Sequence, residues 1–375
     1  MKKQAFVLTL AILLLALMVP TVILMNAQAD KKPSNGGDND RLGDRSDEIG
    51  PGQTNDVQQG GVGQIQASEY RLSGPYTHKN LTIFLVHGKN VVPGKTFLTL
   101  QEALERKKVV VYETKDVNEL SIENLSNEDV YVQSGEIVKG GEQDRMLAVD
   151  LIVPPKSGKM PIEAFCVEHG RWSGRGNERA AVFSSSNDVV ATKQIKLAAK
   201  RENSQGGVWE NVTVAQDKLS QNVGTPVNSR VSPSSLQLAV ENSKVQENAE
   251  SYIKALSKIV NGSDNVIGYV FAINGKVNSA DIYGSNALFK KLWPKLLKAN
   301  AIEAIAELQP EKFETPKAES VKTFLSDGEK AKASEKEVSA RVGLVTREDD
   351  NNIVFETRDR AQKDAVIHKN YIKKN

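Results

Sequence analysis

The chain has one cysteine, four histidines and a net charge of only +2, from 49 basic and 47 acidic residues among 375. Each shortage excludes something. A single cysteine leaves no intramolecular disulfide framework. Cys166 stands in the run Ile162-Glu163-Ala164-Phe165-Cys166-Val167, so it reads as a small buried hydrophobe and not as an exposed nucleophile. Balanced charge gives no electrostatic reason to expect a nucleic-acid partner. The sequence holds no C-x-x-C, H-E-x-x-H or calcium-loop pattern, so no metal site is expected, and nothing in it names a cofactor. There is no G-x-S-x-G elbow, and Ser184-Ser185-Ser186 has no base close in sequence. Residues 135–141 copy the glycine spacing of a phosphate loop but lack its Lys-Ser/Thr pair. They are expected to form a tight turn or bulge that uses positive φ.

Long apolar runs are equally scarce. The one clear case is residues 5–25, preceded by Lys2 and Lys3 and followed by Asn26-Ala27-Gln28-Ala29. That layout predicts a secretory signal cleaved after Ala29. Left uncleaved, about 20 apolar residues are enough for a membrane anchor, the only membrane contact expected. Either outcome places the rest of the chain outside the cytoplasm. Residues 30–70 are a linker: eight glycines fall between Gly36 and Gly63, among Asp, Asn, Gln and Ser. Such a segment buries too little to offset its ordering entropy, and as a coil it reaches roughly 35 Å.

From about residue 71 the pattern becomes that of a folded domain. Period-two runs predict strands at 80–86, 109–113, 120–125, 130–135, 146–153 and 162–167. A polar stretch, 173–233, contains one short expected helix at 208–219. Ser234 or Ser235 then caps a helix whose apolar stripe runs Leu236, Val240, Val245, Ala249, Ile253, Leu256, Val260, ending at Gly262. Asn274-Gly275 joins strands 267–273 and 277–283 as a type I′ hairpin. Ser285 or Asn286 caps a further helix, kinked or restarted at Pro294 and running to about residue 308. Residues 310–338 read as an exposed charged stretch, followed by a last hairpin, 341–347 with 353–358. The expected fold class is α+β: a β-rich, sandwich- or barrel-like half, then helices with a hairpin. The expected divisions are 1–29, 30–70, a globular domain at 71–309, and 310–375 packing on that domain.

What stands out is residues 134–172, where strand-like apolar runs are interrupted by charge. An unpaired buried charge is costly, so these side chains need partners or a ligand. Glu136, Asp150 and Glu168 are candidate acid–base groups. Gln143, Arg145 and Arg171 are candidate ligand holders, since guanidinium groups clamp carboxylate or phosphate in a bidentate way. Trp172 is a candidate stacking residue, and Asp281, mid-strand between Ala280 and Ile282, joins the set. The competing reading is an internal Arg–carboxylate network that pins strand registers.

The same blocks carry a resemblance. Ser134-Gly135-Glu136, Gly140-Gly141, Gln143-Asp144-Arg145 and Cys166-Val167-Glu168-His169-Gly170-Arg171-Trp172 resemble the ARG-and-rhodanese-phosphatase-superfamily-associated protein (ARPP) family. So do Ser232-Pro233-Ser234-Ser235-Leu236-Gln237-Leu238, Gly268-Tyr269, Phe271-Ala272-Ile273-Asn274-Gly275-Lys276 and Leu292-Trp293-Pro294. The similarity spans about residues 72–308. It implies a domain of unestablished activity, named for gene neighbourhoods with ADP-ribosylglycohydrolases and rhodanese-phosphatase proteins. The leading apolar segment departs from the cytoplasmic setting of those neighbourhoods. The function expected is therefore extracytoplasmic binding or processing of a small anionic or sugar-containing ligand at a Glu/Asp/Arg site. The alternative is a non-catalytic secreted or envelope-tethered interaction module.

Overall fold

The computed structural model describes residues 70–374; the expected signal segment and the linker up to residue 69 lie outside the described residues. No described helix is long and apolar enough to cross a membrane.

The alternating and fully apolar runs build a mixed α+β fold around two principal sheets. The larger sheet is antiparallel and takes strands from both ends of the domain. Across it run β1 (Arg71–His78), β2 (Leu81–His87), β12 (Val266–Ile273), β13 (Lys276–Tyr283), β17 (Ala365–Lys373), β16 (Asn352–Asp359), β15 (Val342–Glu348) and β14 (Lys332–Glu337). The expected hairpin is its centre: Asn274 (φ 50°) and Gly275 (φ 76°) both adopt the left-handed conformation that a type I′ turn requires. Every residue of β12 is buried because both sheet faces are covered. Leu81, Ile83, Leu85, Phe271 and Tyr283 join the main core on one face. Phe84, Val86, Val270, Ala280 and Tyr371 meet Val321, Phe324 and Leu325 of α7 (Ala318–Lys330) on the other. Fully burying each of those three α7 side chains is worth about 1.5–3 kcal/mol. The stretch expected to be exposed thus contains an amphipathic helix and the edge strand β14, whose residues alone are all exposed.

The β-rich half forms a second, six-stranded sheet. Its order is β11 (Phe183–Val190), β7 (Glu136–Gly140), β8 (Arg145–Leu147), β10 (Lys159–Cys166), β5 (Glu119–Asn124) and β4 (Val109–Asp116). The sheet curls into a half-barrel whose ends approach. Tyr112 bridges Val182, and Glu113 N donates to Ala181 O at 3.1 Å. A small third sheet holds β3 (Leu98–Thr99), β6 (Val130–Val132) and β9 (Leu151–Val153), followed or flanked by α1 (Leu100–Glu105) behind a Thr99–Glu102 capping box. The single strand expected at 146–153 is therefore two strands, β8 and β9, in different sheets. The turn between them puts Asp150 at their junction. Gly135, Gly140 and Gly141 all have positive φ, the turn conformation expected of them.

The helices fill the space between the sheets. α6 (Asn286–Ala306), capped by Ser285 through Leu288 N, is buried along most of its length and continues through Pro294. The helix expected at 236–260 is broken at Glu241-Asn242 into α4 (Leu236–Val240) and α5 (Ser243–Leu256), because the Asn242 side chain accepts from Lys244 N and starts a new helix. The polar middle is more helical than expected, with α2 (Lys193–Lys200) and α3 (Gln205–Val223).

Candidate functional site

The structure separates the predicted site residues into four places. Glu168 and Arg171 belong to a closed knot. Both Glu168 oxygens accept from Arg171, at 2.7 Å each, and Glu168 also receives Asp144 N at 2.9 Å and the Ser232 hydroxyl. Arg171 spends its remaining donors on the carbonyl oxygens of Gly140 and Gly141, at 3.0 Å each, and of Ser173. Arg175 grips Asp144 in bidentate fashion at 2.6 and 2.8 Å, and Ser235 and Gly140 N complete that carboxylate's shell. Burial pushes the Asp144 carboxyl upward and Arg175 pulls against it; four donors on two oxygens favour the carboxylate. Burial opposes ionisation of Glu168 too, but Arg171 overrules it and holds that carboxyl below its usual range. With every oxygen engaged, this knot ties the 134–172 block to the turn before α4.

Gln143 and Arg145 lie elsewhere, on the half-barrel. Arg145 is buried and donates to Glu113 at 3.3 Å, to Gln143 Oε1 at 3.3 Å and to the Cys166 sulfur. Burial pushes the Cys166 thiol up to about 11, so it holds no thiolate at neutral pH. Trp172, next to Arg171 in the chain, is 56% exposed on the surface.

Glu136, Asp150 and Asp281 do converge, in a buried polar cluster between the two sheets. Its centre is His368 of β17, held by Asp150 through Nδ1 at 2.7 Å and by Asp281 through Nε2 at 3.1 Å. Carboxylates only accept, so both ring nitrogens donate and the imidazole is an imidazolium. Burial alone would lower its pKa, but Asp150 outweighs that and raises it. Asp150 also accepts from Ser134 N and Thr357 Oγ1, both at 2.7 Å, and its carboxyl is held far below the usual range despite burial. Asp281 accepts from Tyr269 at 2.9 Å and Asn370 at 2.8 Å, and is lowered likewise by His368 against burial. Tyr283 stacks on His368 with centroids 4.5 Å apart and donates to Gln133 Oε1 at 2.8 Å. Glu136 joins through a buried pair with Lys295 of α6 at 2.7 Å and a bond from Gln133 N. Gln133 Nε2 is buried beside this cluster without a hydrogen-bond partner.

One wall was not foreseen in the sequence. Lys193, Lys196 and Lys200 are spaced i, i+3, i+7 on α2, which places them on one helix face. None of the three ammonium groups makes a hydrogen bond or ion pair among the described residues, although Lys193 N donates to Glu303 at 3.4 Å; Lys200 instead stands 3.9 Å over the Phe355 ring. Lys196 acts electrostatically on Asp281 and Glu303, and Lys200 feels Asp150 and Asp281. Gly135 makes room for this: at φ 90° it lacks the Cβ that would stand 2.8 Å from Lys196 Cε. In the Asp150–Asp281 cluster two carboxylates therefore face three cations, His368, Lys196 and Lys200. Two clefts open at the ends of α2. One, about 260 Å³, is lined by Lys193, Asn278, Glu303 and Lys218. The other, about 390 Å³, is lined by Lys200, Arg201, Lys336, Phe355, Ile353 and Val149. Burial raises the Glu303 carboxyl and lowers the Lys193 amine. Among the described residues no group of three or more His, Cys, Asp or Glu side chains is placed to hold a metal ion.

The signals that were available are the K-x-x-K-x-x-x-K spacing and a histidine directly after the apolar residues Ala365-Val366-Ile367. Comparison with known proteins returns one result. The model of the ARG and Rhodanese-Phosphatase-superfamily-associated Protein domain, ARPP-1, matches residues 69–372. No curated protein and no solved structure matches the chain. The match covers most of the chain and takes in β14–β17, beyond the span read from the sequence blocks. The chain belongs to the ARPP-1 domain family.

Proposed function

We propose that the domain binds, and on binding can process, a small anionic or sugar-containing ligand in the cleft beside Lys200. One observation carries this reading: Lys200 is a cleft-lining cation without a carboxylate partner. Its neighbours in that cleft are neutralised, Arg201 by Glu348 at 2.7 Å and Lys336 by Glu163 at 2.6 Å. Behind it the charges of His368 and Lys196 are matched by Asp150 and Asp281, so Lys200 is the one cation left over. An anion there would satisfy Lys200 and balance the charge. The predicted carboxylates then act from behind: Asp150 and Asp281 fix His368 as a positive charge and orient the floor of the site, while Glu136 anchors Lys295. The leading apolar segment supports placing this site outside the cytoplasm, and amino-terminal sequencing of exported protein tests that part.

The binding claim is tested by thermal stabilisation of the full chain with inorganic phosphate, sugar phosphates, ADP-ribose and neutral glycans. A ligand at 100 times its dissociation constant stabilises by about 2.7 kcal/mol. Stabilisation by an anion that is lost in Lys200→Met supports the reading; stabilisation only by neutral glycans, or none, contradicts it. A second reading, a partner surface, draws on Trp172 and Val231, which are 56% and 72% exposed on two loops joined by the Ser232–Glu168 bond.

A further inference from the structure

We infer that Lys200 is an amine nucleophile, and that the ligand of its cleft carries an aldehyde or ketone which it holds as an imine. This deepens the anion-site reading and rests on it. Three features set Lys200 apart from an ordinary surface lysine. One side of its cleft is apolar, formed by Val149, Leu344, Ile353 and Phe355, while the charged groups on the other side are paired, Arg201 with Glu348 and Lys336 with Glu163; Ile353 and Phe355 belong to one small core cluster against which Leu344 packs. No carboxylate reaches the ammonium, which rests on the Phe355 ring at 3.9 Å. A second cationic group, Lys196, sits one helical turn earlier on the same face. Apolar walls and a neighbouring cation are the two devices that make a lysine nucleophilic, because both disfavour the ammonium form.

Lys200 is only partly covered from solvent, yet enough protein surrounds it that burial pushes its amine down to about 8, against the pull of Asp150. About one-tenth is then free amine at pH 7, against less than about one-thousandth for a lysine with the ordinary value. The neutral nitrogen adds its lone pair to the carbonyl carbon and the C–O π bond opens. The oxygen takes up a proton as the nitrogen gives one up, leaving a carbinolamine. Loss of that hydroxyl with the remaining nitrogen proton, as one water, gives the imine. No oxidant or reductant enters. Protonated to the iminium, the adduct keeps its positive charge beside Asp150 and Asp281, so the charge pattern that suits Lys200 also suits the intermediate.

The experiment is reductive trapping. Full-length protein is incubated with ribose 5-phosphate and borohydride, and modified lysines are mapped by peptide mass spectrometry. Ribitol 5-phosphate, the same anion without a carbonyl, serves as competitor. The expected result is a borohydride-dependent adduct concentrated at Lys200, growing faster as pH rises towards 8 and suppressed by ribitol 5-phosphate. Lys200→Arg keeps the positive charge but offers no free amine, and gives no adduct at that position. Stabilisation by both compounds with no adduct at Lys200, or adducts spread over exposed lysines, overturns the inference and leaves the anion site standing. Stabilisation by neither overturns both.

Discussion

Two charged regions of this domain lie close in sequence and differ in every physical respect. The knot around Asp144, Glu168, Arg171 and Arg175 is saturated: each carboxylate oxygen has donors, and the guanidinium groups make bidentate pairs or reach backbone carbonyls. The face formed by Lys193, Lys196 and Lys200 is unsaturated: it looks towards carboxylates without pairing to them and borders two clefts. Arginine suits the first role because its planar fork is fixed and always charged. Lysine suits the second because its compact charge shifts its pKa when buried. Charge density in a sequence block therefore marks polar burial, and only partner accounting separates scaffold from site.

The comparison breaks first if the knot is not structural. Arg175→Ala would strand the Asp144 carboxylate in the interior, and removing one partner of a buried pair costs about 3–5 kcal/mol. Denaturant unfolding should show that loss, and a loss under about 1 kcal/mol would place Arg175 outside the scaffold. Next in size is His368→Asn, which leaves Asp150 and Asp281 short of their shared cation, at about 3 kcal/mol. The pH dependence has a definite sign. The raised His368 contributes stability that is complete below its ordinary 6.5 and lost as pH rises through the folded value. The lowered Asp150 and Asp281 contribute stability present above 3.8 and lost as pH falls through their folded values. Unfolding free energy against pH should therefore lose its alkaline-side decline in His368→Asn; an unchanged decline would assign it elsewhere.

Gly135→Ala sharpens the contrast from the other side. The new Cβ must adopt positive φ and displace the Lys196 stem, costing about 1–3 kcal/mol. Anion-induced stabilisation should fall with it, and unaltered binding would detach Lys196 from the site. Glu303→Gln has a smaller effect. Burial raises this carboxyl, so the wild type loses stability as pH rises from 4.5 through the folded value. The variant should lack that decline and match or exceed wild type at pH 7 by no more than about 1 kcal/mol; lower stability would make the charge itself structural. Trp172→Ala, at an exposed ring, should stay within about 0.5 kcal/mol.

Much of the fold was legible in the sequence. The hairpin at Asn274-Gly275 and the caps at Ser235 and Ser285 carry local chemistry that tertiary packing did not override. The split of 146–153 was not legible, because period two continues through a turn that changes sheets. Nor was the break at Asn242, since the apolar stripe runs unbroken across it. Residues 310–338 looked exposed because α7 has four buried residues, one of them Gly328, among many charges. For the site, density of charge found Asp150 and Glu136, and the mid-strand position between Ala280 and Ile282 found Asp281; the three do meet. Charge density gave equal weight to Glu168 and Arg171, whose mutual satisfaction appears only in three dimensions. Lys196, Lys200 and His368 come from 173–233 and the last strand, so sequence distance hid them.

The most direct test sets one residue of each region side by side. Full-length wild type, Lys200→Met and Arg171→Ala are compared for thermal stability and for stabilisation by the same anion. The account predicts that Lys200→Met keeps its stability and loses the ligand response, while Arg171→Ala loses stability and keeps the response in the protein that folds. The reverse pattern, binding retained without Lys200 and abolished without Arg171, would contradict it.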